Sequence, residues 1–121
     1  MRIFYLEDNP LIVFHVEQLI EDLGHTFAGS LDSFVALKSQ VDDFPMDVAL
    51  IDIDLADGRT GPEAARWLGS FDVPCFFLTG QAQLATDDAH LVLGIISKPV
   101  NLQDLAEKLS LVPKTFGNRT P

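Results

Sequence analysis

Basic residues are scarce in this 121-residue chain: eight Lys and Arg stand against 18 Asp and Glu, for a formal net charge of -10 and a pI near 4.4. Such a surface repels phosphate backbones and anionic headgroups, so neither nucleic acid nor a membrane is expected as a direct partner, whereas a metal ion or a cationic protein is. Cysteine is almost absent. Cys75 stands alone inside an apolar run, which rules out a disulfide framework and reads as a buried core thiol suited to a reducing compartment. No stretch approaches the roughly 18 apolar residues of a membrane span, and the start, MRIFYLEDN, is too short in apolar residues for a signal peptide. A cytoplasmic protein is expected. Repeats and low-complexity blocks are also missing. What remains is a globular composition, 47% hydrophobic and 21% charged, at a length that suits one core.

Five short apolar runs, rich in β-branched and aromatic residues, have the length of buried strands: Arg2 to Leu6, Thr26 to Leu31, Val48 to Asp52, Cys75 to Thr79 and Val92 to Ser97. Segments of helical spacing lie between them. Pro10 to Leu23 follows Asn9, a good N-cap with Pro at the first helical position, places Ile12, Val16, Leu19, Ile20 and Leu23 on one face, and stops at Gly24. Ser33 to Val41, Pro62 to Leu68 and Asn101 to Leu111 are shorter amphipathic candidates. Residues 80 to 90, GQAQLATDDAH, offer few apolar anchors for a further helix. Strands alternating with helices predict right-handed crossovers and a parallel sheet covered on both faces, that is, a doubly wound, five-stranded α/β domain over residues 1–112. Residues 113–121 read as a tail, with no output domain expected after Leu111.

In an open parallel sheet, ligands collect at the carboxyl ends of the strands, near the point where strand order reverses. The first strand ends in Glu7 and Asp8, the third in Asp52, the fourth in Thr79 and Gly80, and the fifth in Ser97, Lys98 and Pro99. All of these fall on one edge. The stretch DVALIDIDLADGRTG, residues 47–61, adds Asp54 and Asp57 just beyond. Carboxylates gathered there repel one another unless a cation sits among them, and a hard divalent ion such as Mg²⁺ suits an all-oxygen set. Taken singly, Thr79 also reads as an ordinary strand residue, Lys98 as a surface lysine and Asp54 as a solvated loop acid.

These residues, in this order, resemble the receiver domains of two-component response regulators. The likeness runs from about Arg2 to Leu111 and rests on the pair Glu7-Asp8, on Asp52, on Thr79-Gly80 and on Lys98-Pro99. It implies a flavodoxin-like (βα)5 fold with Asp52 as phosphoacceptor. By the same resemblance Asp8, Asp52 and the main-chain carbonyl of Asp54 would bind Mg²⁺, Glu7 would act through metal-bound water, and Thr79, Gly80 and Lys98 would meet the phosphoryl oxygens. Phosphoryl would come from a histidine kinase or a histidine phosphotransfer protein, docked on the first helix around Leu11, Ile12 and His15. Pro99 suggests a constrained, cis-capable peptide bond that aims the Lys98 ammonium inward. The chain would be a signalling module, catalysing only its own phosphorylation and dephosphorylation.

Some positions depart from the family pattern. Ile95 stands where most receivers carry the aromatic ring that turns inward with the Thr, Ala56 replaces the common Pro after the acceptor, and Gly61 comes one residue late. PCFFLTGQ, residues 74–81, is similar to the receiver subgroup with a Phe-Ala-Thr-Gly type strand. His15, His25 and His90 have no metal-ligand spacing, with one another or with Cys75. Two rival readings use the same acids. Asp52-x-Asp54 resembles the nucleophile motif of haloacid-dehalogenase-type phosphatases, but that motif belongs on a first strand and needs a cap. Glu7 with Asp52 and Asp54 resembles a Toprim metal site, which the net charge opposes. A receiver-like module that binds partners without phosphorylation is the third alternative.

Overall fold

Parallel pairing builds one sheet from β1 (Arg2–Leu6), β2 (Thr26–Leu31), β3 (Val48–Ile51), β4 (Cys75–Thr79) and β5 (Gly94–Ser97), in the order β2-β1-β3-β4-β5. The computed structural model describes residues 1–113, apart from the side chain of Leu84. Of the expected tail only Pro113 lies within that range. The doubly wound five-stranded fold read from the sequence is the one observed, with its flavodoxin-like strand order.

Helices cover both faces: α1 (Pro10–Asp22) and α4 (Leu102–Leu109) on one, α2 (Phe34–Gln40) and α3 (Gly61–Gly69) on the other. Period-two alternation divides the strands between two cores. Phe4, Leu6, Ala49, Ile51 and Phe77 pack with Phe34, Leu37, Ala64 and Leu68. Ile3, Tyr5, Leu50, Phe76, Leu78 and Ile96 pack with Val16, Ile20, Leu105 and Leu109. Cys75 is buried, as expected of a core thiol.

Local signals act as the spacing predicts. Asn9 accepts from the Leu11 amide at 3.0 Å and caps α1, and Gly24 takes φ +84° after it. Ser33 accepts from Ala36 at the start of α2, and Asn101 accepts from Asp104 at the start of α4.

The structure corrects several boundaries. β3 closes at Ile51, and Asp52 follows it while its amide still donates to the Leu6 carbonyl at 2.9 Å. β5 begins at Gly94, not Val92. α1 and α4 stop at Asp22 and Leu109, and α3 reaches Gly69. Between β4 and β5 no α-helix forms: residues Ala82–Leu84 and Thr86–Leu91 make 3₁₀ turns, closed by bonds such as Ala85 N–H to Ala82 O and Asp88 N–H to Ala85 O, both 3.1 Å. Sparse apolar anchors give a longer helix no face to bury, so the tighter turns suffice.

Candidate phosphoacceptor and metal site

Strand order reverses around β1, whose carboxyl end lies beside that of β3. Glu7 and Asp8 leave β1 there and Asp52 leaves β3, and one oxygen from each of the three falls within 4.8 Å of the others. Alternation continues past the strand ends: Glu7 follows Tyr5 and Asp52 follows Leu50 onto the face covered by α1 and α4.

Lys98 joins the cluster from the end of β5, where its amide donates to the Thr79 carbonyl at 2.9 Å and the Lys98–Pro99 peptide is cis. Its Nζ lies 2.5 Å from Glu7 Oε1 and 2.9 Å from Asp52 Oδ2. Glu7 is 3% exposed and Asp52 8%. Both are therefore buried acids competing for one ammonium. The Ile53 amide donates to Asp52 Oδ1 at 2.8 Å, while Glu7 also accepts from the Tyr5 hydroxyl at 2.9 Å and the Asn9 amide at 3.2 Å.

This unequal supply of donors separates the two carboxyls. Burial pushes the Asp52 carboxyl up to about 6, with Lys98 pulling the other way and Glu7 adding to the rise. At Glu7 burial also works upward, but Lys98, Tyr5 and the Asn9 amide outweigh it and hold the group below the usual carboxylate range. Asp8, exposed at the rim, is raised by partial desolvation and by Glu7. Lys98 would be lowered by burial, yet its two carboxylate partners keep it raised and charged. One ammonium among three carboxylates leaves an excess of negative charge in the cluster, and the donor set is all oxygen. That chemistry fits a hard divalent cation. Glu7 and Asp8 line a groove of about 500 Å³ whose walls include Pro10 and Val13 of α1 and Ala36 and Gln40 of α2.

Thr79 is buried at the end of β4, its hydroxyl accepting from the Gln81 amide at 3.1 Å. A Cβ on Gly80 would meet no atom within 4 Å, so nothing in the chain itself demands glycine there. Gly61 is different. A Cβ at this position would run into the Asp52 carbonyl and sit 2.7 Å from Ile53 Cα, so the glycine lets α3 start directly against the Asp52–Ile53 backbone.

The other acids of the opening stretch go elsewhere. The Asp54 side chain is exposed and stays out of the acidic group. Asp57 accepts from the Phe34 and Val35 amides at 3.2 and 3.1 Å and from Thr60 Oγ1 at 2.6 Å, tying the β3–α3 loop to the start of α2. On α1, Leu11 is 80% exposed and His15 is exposed, whereas Ile12 is half-buried against the core. Phe14, 63% exposed, shares the outer face with Leu11 and His15 and was missed in the sequence. Its spacing from Leu11 was the available signal. Tyr5 was also missed, hidden in an apolar strand.

With this geometry the family follows. The response regulator receiver domain model matches residues 3–110, and the chain belongs to that family. It is 32% identical over 112 residues to the phyllosphere-induced regulator PhyR of Methylorubrum extorquens, covering 90% of this chain and 42% of that protein. It is 27% identical over 115 residues to the sensor histidine kinase GacS of Pseudomonas protegens, covering 88% of this chain and 12% of the kinase. The chain thus spans less than half the length of these curated relatives. Among solved structures, the receiver domain of Erythrobacter litoralis PhyR superposes with a TM-score of 0.79 at 32% identity, covering 92% of this chain and 88% of that one. Among the described residues no helix is long and apolar enough to cross a membrane.

Proposed function

We propose that Asp52 accepts a phosphoryl group from a histidine kinase or histidine phosphotransfer protein, in a Mg²⁺-dependent reaction, and that the chain signals in the cytoplasm by changing which proteins it binds. The observation that carries this reading is the Asp52 carboxylate, buried at the reversal point between Lys98 and the acids of β1. Asp52, Asp8 and the Asp54 main-chain carbonyl would hold the metal, with Glu7 reaching it through water. Bound there, Mg²⁺ would supply positive charge to the phosphoryl oxygens. An Asp52 oxygen forms the new bond to phosphorus as the P–N bond to the donor histidine breaks, its electron pair staying with the ring nitrogen. Lys98 turns from Asp52 toward a phosphoryl oxygen, and Thr79 gives up the Gln81 amide to donate to another, beside Gly80. Little else is required, because phosphoryl transfer depends on positioning and charge neutralisation. The outer face of α1, with Leu11, Phe14 and His15, is the docking surface for the phosphodonor.

The exposed Asp54 side chain counts against the phosphatase reading, which needs that carboxyl as general acid. Intact mass after incubation with acetyl phosphate tests the proposal. The wild-type chain should gain one phosphoryl group with Mg²⁺ and none with excess chelator, and Asp52→Asn should gain none. Undiminished labelling of Asp52→Asn would remove Asp52 from the role.

A further inference from the structure

Tyr5 is the chain's only tyrosine. It lies in β1, fully buried, and faces the same core as Ile3, Val16, Leu50 and Leu105. A hydroxyl in such surroundings needs a hydrogen-bond partner. Its partner is Glu7 Oε1 at 2.9 Å, two residues further along and on the same side of the strand. Packing of the ring fixes where this donor points.

Glu7 has two other donors, and they differ in kind. The Asn9 amide belongs to the backbone at the start of α1 and reaches only Oε2. Lys98 Nζ shares Oε1 with Tyr5, but it also donates to Asp52 Oδ2, and it ends a long, flexible side chain. Tyr5, Glu7, Lys98 and Asp52 therefore form one continuous chain of hydrogen bonds. If Lys98 follows a phosphoryl group on Asp52, Oε1 loses its ion pair in a position that is 3% exposed. A carboxylate oxygen left there without a donor is costly, and the cost would act to hold Lys98 back.

We infer that Tyr5 is a positioning residue of the acidic site: its hydroxyl holds the Glu7 carboxylate in place and frees Lys98 to exchange Glu7 for the phosphoryl group. The inference rests on reading Glu7, Asp8 and Asp52 as the metal and phosphoryl site. Phenylalanine at this position fills the same ring volume but leaves Oε1 to Lys98 alone. Lys98 is then pinned on Glu7, where its ammonium opposes a cation among the acids.

Calorimetric Mg²⁺ titration of the full chain tests this, on wild type, Tyr5→Phe, Glu7→Ala and the double variant. Tyr5→Phe should weaken Mg²⁺ binding about tenfold, the lower end for loss of one hydrogen bond to a charged group. In the Glu7→Ala background the same substitution should change little, since its effect passes through Glu7. A single ¹³Cζ label on tyrosine gives a second readout that needs no variant at Tyr5: the one resonance should shift on Mg²⁺ addition, and the shift should vanish in Glu7→Ala. Unaltered Mg²⁺ affinity in folded Tyr5→Phe, equal losses in both backgrounds, or a tyrosine resonance indifferent to Mg²⁺ would each overturn the inference. Should Tyr5→Phe fail to fold, the labelled wild type decides. Wild-type protein that binds no Mg²⁺ would overturn the metal reading itself, and the inference with it.

Discussion

Asp52 shows how a buried carboxylate opposes stability. Its carboxyl is raised to about 6 by burial, against the pull of Lys98, whereas an aspartate in an unfolded chain titrates near 4. Between those values the folded chain binds more protons than the unfolded one, so this group's contribution to stability falls as pH rises and is fully lost above about 6. At pH 7 in chelator, Asp52→Asn should therefore be more stable than wild type, by on the order of 1–3 kcal/mol. The difference should shrink as pH is lowered through 6 and disappear below about 4. Urea denaturation at pH 7.5, 5.5 and 4 measures it. A wild type that is more stable than Asp52→Asn at pH 7.5 would contradict the assigned direction.

The segment between β4 and β5 is the element on which switching should act. Ile95 on β5 packs into the α2–α3 core and has no large ring to turn, and its β-branched side chain has few rotamers. The connecting 3₁₀ turns close through i to i+3 bonds, and apart from the buried Ala85 between them the described side chains at 82–91 are at least partly exposed. Such a segment opens at low free energy. The Thr79 hydroxyl holds the Gln81 amide at 3.1 Å, so under the proposed function a shift of Thr79 toward a phosphoryl group would release that amide and enter the segment at its first turn. Amides of residues 80–91 should exchange fast in the free protein and more slowly with beryllofluoride and Mg²⁺, where beryllofluoride stands in for the phosphoryl group on Asp52. Strong and equal protection in both states would rule out this segment as the switch.

Across the whole molecule, acids outnumber bases by ten, and three of those acids meet at one edge of the sheet. A cation bound there favours the folded state by mass action, about 2.7 kcal/mol at 100 times its dissociation constant. In a domain of this size that corresponds to a rise in Tm on the order of 10 °C. Differential scanning calorimetry with Mg²⁺, against Na⁺ at matched ionic strength, separates site binding from general screening. Asp8→Ala should lose most of the Mg²⁺-specific gain, and an undiminished gain would place the ion elsewhere.

The fold class and the placement of Glu7, Asp8, Asp52 and Lys98 at one edge of the sheet were legible in the sequence because both depend on local patterns. Apolar runs of strand length, caps such as Asn9, and polar residues placed directly after those runs are properties of neighbouring positions. Asp52, Glu7, Asp8, Thr79 and Lys98 could be read in this way. The length of the segment at 80–91 could not, because a helix there depends on finding a face to bury. Nor could the uses of Asp57 and Tyr5. Asp57 belongs to an acidic loop in sequence but caps α2, which lies 23 residues away along the chain. Tyr5 reads as one more core aromatic until the fold brings Lys98, 91 residues from Glu7, onto the same carboxylate oxygen. Local pattern determines which residues reach the sheet edge, but how they share donors is set by the distances among strands that only the assembled sheet brings together.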